Sequence, residues 1–274
     1  MSRLICEKCD QELDPKTIVA NNVYSCQKCG LVEAIQSKNN SINEVNKEED
    51  LSKYYLNEEQ TIFLSLSEDT ATIEGNGKIE KQLWSKLTKE LSLENYNIEI
   101  KEGIQLSDDC SEMFKGFKKE INIDPNIDTS NITDMESMFD DALLANPDTS
   151  NWDVSNVTYM KHMFSGAVSA NPDTSDWDTS NVVNMACMFY KAISANPDTS
   201  NWDVSNVQNM ARMFYKAISA NPDTSNWDVS KVYSMEAMFC GARIANPDTS
   251  NWRTSSLHYN KWIFDDSAYT GKPL

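Results

Sequence analysis

The sequence predicts a repeat solenoid of 25 residues per coil, built from short parallel strands and short helical turns, behind a small cysteine-paired ribbon and an α/β cap. Three observations carry this. Trp152, Trp177, Trp202, Trp227 and Trp252 are spaced by 25 residues, as are Pro147, Pro172, Pro197, Pro222 and Pro247. Eleven of the twelve methionines, Met113 to Met238, fall in or beside one Met-x-x-Met-Phe motif per repeat. Two Cys-x-x-Cys pairs stand near the N-terminus with sixteen residues between them. A fixed period of this size marks units that cannot bury their apolar side alone and must stack to close a core.

Composition sets the outer limits. The 274 residues carry 24 basic and 42 acidic side chains, a net charge of -18, and 40% are hydrophobic, enough for more than one domain. Nucleic-acid affinity rests on Lys and Arg displacing counterions, so DNA and RNA are excluded as expected partners. No window reaches the roughly 20 apolar residues of a membrane span, so no insertion into a membrane is expected. Met1 to Cys6 lack a signal peptide's apolar stretch, and the chain is expected to stay in the cytoplasm.

Residues 1–36 are expected to form a zinc ribbon. Cys6 and Cys9, then Cys26 and Cys29, form two turns that each aim a pair of thiolates at one point, and four thiolates make a tetrahedral cage suited to zinc. Gly30 suits the turn after the second pair. Four sulfur ligands leave no open position, so the expected metal is one structural zinc per chain. Two disulfides, or a redox pair, are the other uses of such spacing.

Residues 37–58 are polar and charged, as expected of a flexible linker. Residues 59–109 are expected to form the cap of the array. Ile62 to Leu66 and Ala71 to Ile73 look like strands, Gly75-Asn76-Gly77 like a turn, and Asn97 to Ile100 like a further strand. Between them Ile79, Leu83, Leu87 and Leu91 recur every four residues beside Trp84, predicting a helix over 78–92.

The array itself is placed at residues 110–268, with a loose tail at 269–274. Val207, Met210, Met213 and Phe214 are spaced to point inward, with Ala217 and Ala220 small enough for coils to approach. Methionines here are core filling, since thioethers fit irregular gaps. Asn196-Pro197-Asp198 predicts a turn. Stacked units would set Trp, Asp, Thr and Asn into rows along the array. Both edges degrade: Ile127 replaces Trp at the start, and Arg253 replaces Asp at the end.

Units such as Asn-Trp-Asp-Val-Ser-Asn-Val-x-x-Met-x-x-Met-Phe resemble the bacterial BspA-like leucine-rich repeat surface proteins, whose repeat runs W-D-[TV]-S-N-V-T-x-M-x-x-M-F. The resemblance covers residues 110–268 and extends toward Ala71 to Gly77, where the family has its usual lead-in. It implies a leucine-rich-repeat-like solenoid that recognises proteins or host surfaces without catalysis. Members usually carry an export signal, whereas this chain opens on its cysteine pairs, so the resemblance points to the cell surface and the cysteines to a reducing compartment.

An enzyme is not expected. His162 and His258 sit at non-equivalent repeat positions without a recurring nucleophile, and no phosphate-binding or nucleophile-elbow motif is present. Cys110, Cys187 and Cys240 read as small apolar residues. The expected function is a protein-binding scaffold whose acidic face recognises a basic or polar partner protein. Residues 127–252 hold sixteen acidic and six basic groups, with one row at Asp148, Asp173, Asp198, Asp223 and Asp248 and a second at Asp153, Asp178, Asp203 and Asp228. Asp beside Pro, Ser and Asn also caps turns, which is the plainer use of the same residues. The alternatives are a cell-surface adhesin, a calcium-binding repeat protein, and ice binding by the row from Thr149 to Thr249.

Overall fold

The structure, a computed structural model, describes the backbone of residues 4–6, 18–20, 23–26, 30–36 and 53–271 and the side chains of 54–271. The chain divides into two compact units, residues 1–51 with 86–92 and residues 52–85 with 93–274.

In the first unit, strands β1 (Leu4–Cys6), β2 (Ile18–Ala20), β3 (Val23–Cys26) and β4 (Gly30–Gln36) form an antiparallel sheet in the order β1-β4-β3-β2. Cys6 pairs with Ala34 and Cys26 with Gly30. Cys9 and Cys29 lie outside the described residues, as do the side chains of Cys6 and Cys26, so the zinc-ribbon expectation lies outside them too. Most of the expected linker, 37–52, is likewise outside.

The second unit opens on a mixed sheet. Strands β5 (Lys53–Tyr55), β6 (Ile62–Leu66), β7 (Thr70–Gly75), β9 (Asn97–Ile100) and β11 (Ile121–Ile123) align in the order β11-β9-β7-β6-β5, and a short pair joins β8 (Gly77–Lys78) to β10 (Ile104–Gln105). The alternation of apolar residues sets the faces: Ile62, Leu64, Ala71, Ile73, Ile98 and Ile100 are all buried. Gly75 makes the β7 to β8 turn at a φ of 122°, where a Cβ would lie 2.0 Å from the Thr61 carbonyl oxygen. Strand β5 lies in the stretch read as linker, because Tyr54 and Tyr55 extend the antiparallel edge beside β6.

Helix α1 (Lys81–Leu91) falls inside the expected 78–92 and buries Trp84, Leu87 and Leu91, and Ser92, at a left-handed φ of 52°, follows its last turn. The Trp84 indole N–H donates to the Met113 carbonyl at 2.8 Å, and its ring lies 5.6 Å from Phe114 and 6.3 Å from Phe117.

The expectation of a leucine-rich-repeat-like solenoid is overturned beyond this point. Named strands and the α-helix are confined to residues before 124, and from 124 to 271 the described chain holds turns and isolated one-residue bridges only. The repeats still align at their period, through parallel bridges such as Tyr159 to Asn184 and Asn184 to Asn209. What prevents strands and helical turns is local. Alternate peptide units close three-residue turns: the Met213, Tyr215 and Ala217 N–H groups donate to the Met210, Arg212 and Phe214 carbonyls at 3.2, 3.1 and 3.0 Å. Arg212 and Lys216, both at a left-handed φ of 56°, then stop each turn from propagating as a helix. The intervening units reach the neighbouring repeat. The Met210, Arg212, Phe214 and Lys216 N–H groups donate to the Ser234, Glu236, Met238 and Cys240 carbonyls at 2.9, 2.8, 2.8 and 2.8 Å.

The core of the repeats is aromatic and thioether. Met210, Met213, Phe214, Ala217 and Ala220 are fully buried, and their counterparts in neighbouring repeats repeat the pattern. Phe189, Phe214 and Phe239 stack at 5.5 Å intervals, and Trp202 lies 6.3 Å from Trp177 and 6.5 Å from Trp227. The turn expected at Asn196-Pro197-Asp198 falls later, where the Trp202 N–H donates to the Thr199 carbonyl at 3.2 Å. Residues 269 and 270, read as loose tail, fold back: the Tyr269 ring stacks on Phe264 at 3.8 Å.

Candidate functional site

The two aspartate rows form the candidate binding face. Pro197 and Trp202 are buried on either side of Asp198, so the chain between them must turn its carboxylate outward. Asp148, Asp173, Asp198, Asp223 and Asp248 are all exposed, and so are Asp153, Asp178, Asp203 and Asp228. Each spends one oxygen on its own loop. The Ser200 N–H donates to Asp198 Oδ1 at 3.0 Å and its hydroxyl at 2.7 Å, and the Ser205 N–H donates to Asp203 Oδ1 at 2.9 Å. The bonds to Asp198 favour its ionised form. The N–H and hydroxyl groups of Ser200 and Ser225 hold Asp198 and Asp223 below the usual carboxylate value, and Ser150 and Ser230 do the same for Asp148 and Asp228. Turn-forming and charge-bearing are therefore two roles of one exposed side chain.

At Asp223 the neighbouring Asp198 and Asp248 charges weakly oppose the Ser225 bonds. The second row ends in Arg253, whose positive charge helps keep Asp228 ionised. A shallow depression there is lined by Asn226, Trp227, Asp228, Asn251, Trp252 and Arg253.

Other sequence candidates settle differently. Thr149, Thr174, Thr199 and Thr224 are fully buried and donate to the Asp173, Asp198, Asp223 and Asp248 carbonyls at 2.6, 2.6, 2.7 and 2.8 Å, so they present no ice-binding surface. Among the described residues no group of three or more His, Cys, Asp or Glu could hold a metal ion, which removes the support for calcium between the rows. His162 is half-buried, and that burial lowers its pKa. His258 Nδ1 lies 2.6 Å from the Ser256 carbonyl oxygen. Cys110 is buried and donates to the Ser107 carbonyl at 3.0 Å, with burial pushing its thiol up. Burial likewise raises Cys187 and Cys240.

One feature escaped the sequence reading. Tyr190 and Tyr215 stack at 5.0 Å, with the Lys191 and Lys216 ammonium groups 5.0 and 5.3 Å from the ring centroids, which sets a cationic, aromatic strip on an acidic protein. The signal was present: these two repeats carry Tyr-Lys where others carry Asp140-Asp141, Ser165-Gly166 and Cys240-Gly241.

The repeat region matches a family described as "Mycoplasma protein of unknown function, DUF285" over residues 108–225 and 193–272, together more than half of the chain. The chain belongs to this family. The family falls within the BspA-like surface-protein repeat group. No curated protein and no solved structure matches the chain. No described helix is long and apolar enough to cross a membrane.

Proposed function

We propose that this family member is a non-catalytic protein-binding scaffold, whose partner is a protein with a basic or polar surface that docks along the two aspartate rows. The observation that carries this reading is the exposure of every carboxylate in those rows, each held outward by the serine two residues on. Their carboxylates repeat at every unit, and only one oxygen of each is taken by the loop. Complementary charge on a partner would be attracted along the whole row and held in register by its spacing. Affinity capture from an extract of the native host tests it. A partner should be retained at about 0.05 M salt and released at about 0.5 M, because exposed charges are screened over a few ångströms at the higher value. Retention indifferent to salt would contradict it.

Membership of a surface-protein repeat group supports a second reading, a cell-surface adhesin whose partner is a host protein. The unpaired thiols of Cys110, Cys187 and Cys240 support the cytoplasm instead. The spacing of Cys6, Cys9, Cys26 and Cys29 supports one structural zinc per chain, holding the N-terminal unit together and taking no part in chemistry.

A further inference from the structure

The strip of Tyr190, Lys191, Tyr215 and Lys216 lies inside the array, with a distinct setting on either side. At its two repeat positions the chain reads Asp140-Asp141, Ser165-Gly166, Tyr190-Lys191, Tyr215-Lys216, Cys240-Gly241 and Asp265-Asp266 in successive units. Two cationic, aromatic repeats are thus flanked on each side by one repeat of small residues and then by paired acids. The main chain keeps these positions in line, since the Gly166, Lys191 and Lys216 N–H groups donate to the Tyr190, Tyr215 and Cys240 carbonyls at 2.7, 2.7 and 2.8 Å.

Both lysines are exposed. Lys161 and Arg212 pair with Glu136 and Glu236 at 2.9 and 3.8 Å, whereas among the described residues no carboxylate pairs with Lys191 or Lys216. Each lysine holds a left-handed φ of 56°, a conformation that Gly166 and Gly241 take at 67° and 75°, so the backbone gives no reason for a side chain here. Gly241 leaves the space that Lys216 leans into: a Cβ there would lie 2.9 Å from Lys216 Cγ. Two residues after each lysine position stands an aliphatic row of Val168, Ile193 and Ile218, with Val168 40% and Ile218 39% exposed. The Ser194 N–H ties this row together by donating to the Val168 carbonyl at 3.2 Å.

We propose that the strip docks a short acidic segment of a partner polypeptide, with carboxylates on Lys191 and Lys216 and apolar side chains on the tyrosine rings and on Ile193 and Ile218. Charge and width argue for this occupant. Ammonium groups without a carboxylate of their own favour acids, and the aromatic and aliphatic surface beside them favours apolar residues between those acids. A long polyanion laid along the array, nucleic acid or sulfated glycan, would run over Asp140, Asp141, Asp265 and Asp266 and be repelled at both ends. The aspartate rows of a second copy, laid the same way, would meet the same acids. The strip is opposite in charge to the aspartate rows and shares no residue with them.

Lys191→Gly with Lys216→Gly removes both charges and keeps the backbone that Gly166 and Gly241 adopt, with melting temperature as the check on folding. A displayed library of random peptides is selected on the wild-type chain and rescreened on this variant. Peptides that the variant holds about tenfold or more weakly should combine Asp or Glu with aliphatic or aromatic residues. Lys191→Arg with Lys216→Arg should keep them, and Tyr190→Ser with Tyr215→Ser should weaken them. Failure to find any lysine-dependent peptide, or lysine-dependent peptides without acids, overturns the proposal. Lysine-dependent retention on immobilised heparin without such peptides would assign the strip to a glycan, and lysine-dependent self-association in sedimentation would assign it to a second copy; either overturns it too. Basic peptides held by the aspartate rows should bind both chains, so the two binding readings fail separately.

Discussion

The Thr199 hydroxyl, fully buried, donates to the Asp223 carbonyl 2.7 Å away in the next repeat. The same bond recurs from Thr149, Thr174 and Thr224, so a side chain supplies the cross-link that a strand ladder would have supplied. Replacing Thr199 by Val keeps the shape and removes the donor. Thr199→Val should cost about 1–3 kcal/mol in denaturant unfolding, since it leaves a carbonyl without its partner. Thr199→Ser should recover most of the loss. Equal stability of the Val variant would mean that the hydroxyl is not a cross-link.

Phe214 stands between Phe189 and Phe239 at 5.5 Å from each and is fully buried. Phe214→Ala should cost about 3–5 kcal/mol, the transfer loss plus the cavity left in a stack that cannot collapse. Ile218, 39% exposed, offers the contrast, and Ile218→Ala should change stability by less than about 0.5 kcal/mol.

Acid should weaken the repeats. Bonds from serines two residues on hold Asp148, Asp198, Asp223 and Asp228 below the usual carboxylate range in the folded chain. A depressed carboxylate gives stability that is complete above the unfolded pKa and is lost as pH falls through the folded one. The melting temperature should therefore drop as the pH is taken from about 5 to about 2.5. A rise over that interval would show that relief of the negative charge outweighs the serine bonds.

The zinc expectation has its own check. Intact-mass measurement under non-denaturing conditions should find one zinc per chain that a chelator removes, and Cys9→Ser with Cys29→Ser should abolish it. Four cysteines recovered as two disulfides would contradict it.

Much of the mixed sheet and helix was legible because it obeys simple periods. Ile62, Leu64 and Ile73 alternate, and Ile79, Leu87 and Leu91 recur at helical spacing beside Trp84. The buried members of the repeat were legible too, since a 25-residue period names Trp202, Met210, Met213 and Phe214 at once. The backbone of the repeat was not. Nothing in apolar spacing reveals that Arg212 and Lys216 take a left-handed conformation, or that alternate peptide units close local turns instead of extending a strand. Arg212 gives no glycine-like cue for such a φ, whereas Gly116, Gly166 and Gly241 stand at the position of Lys216 in other repeats. The aspartate rows were legible as residues, while their division between turn and surface needed the Ser200 and Ser205 bonds. The Tyr190 and Tyr215 pair is a departure from the repeat, which a 25-residue period does not reveal.

The most direct test of the account compares the wild-type chain with a variant carrying Asp148→Asn, Asp173→Asn, Asp198→Asn, Asp223→Asn and Asp248→Asn. Asparagine keeps the Oδ1 that accepts from serine and removes the charge, so it separates the turn role from the binding role. Quantitative capture of host proteins by both chains is the measurement, with melting temperature as the control. The variant should stay folded and lose the salt-sensitive partner. Capture of the same partner, with the same salt dependence, by a folded variant would contradict it.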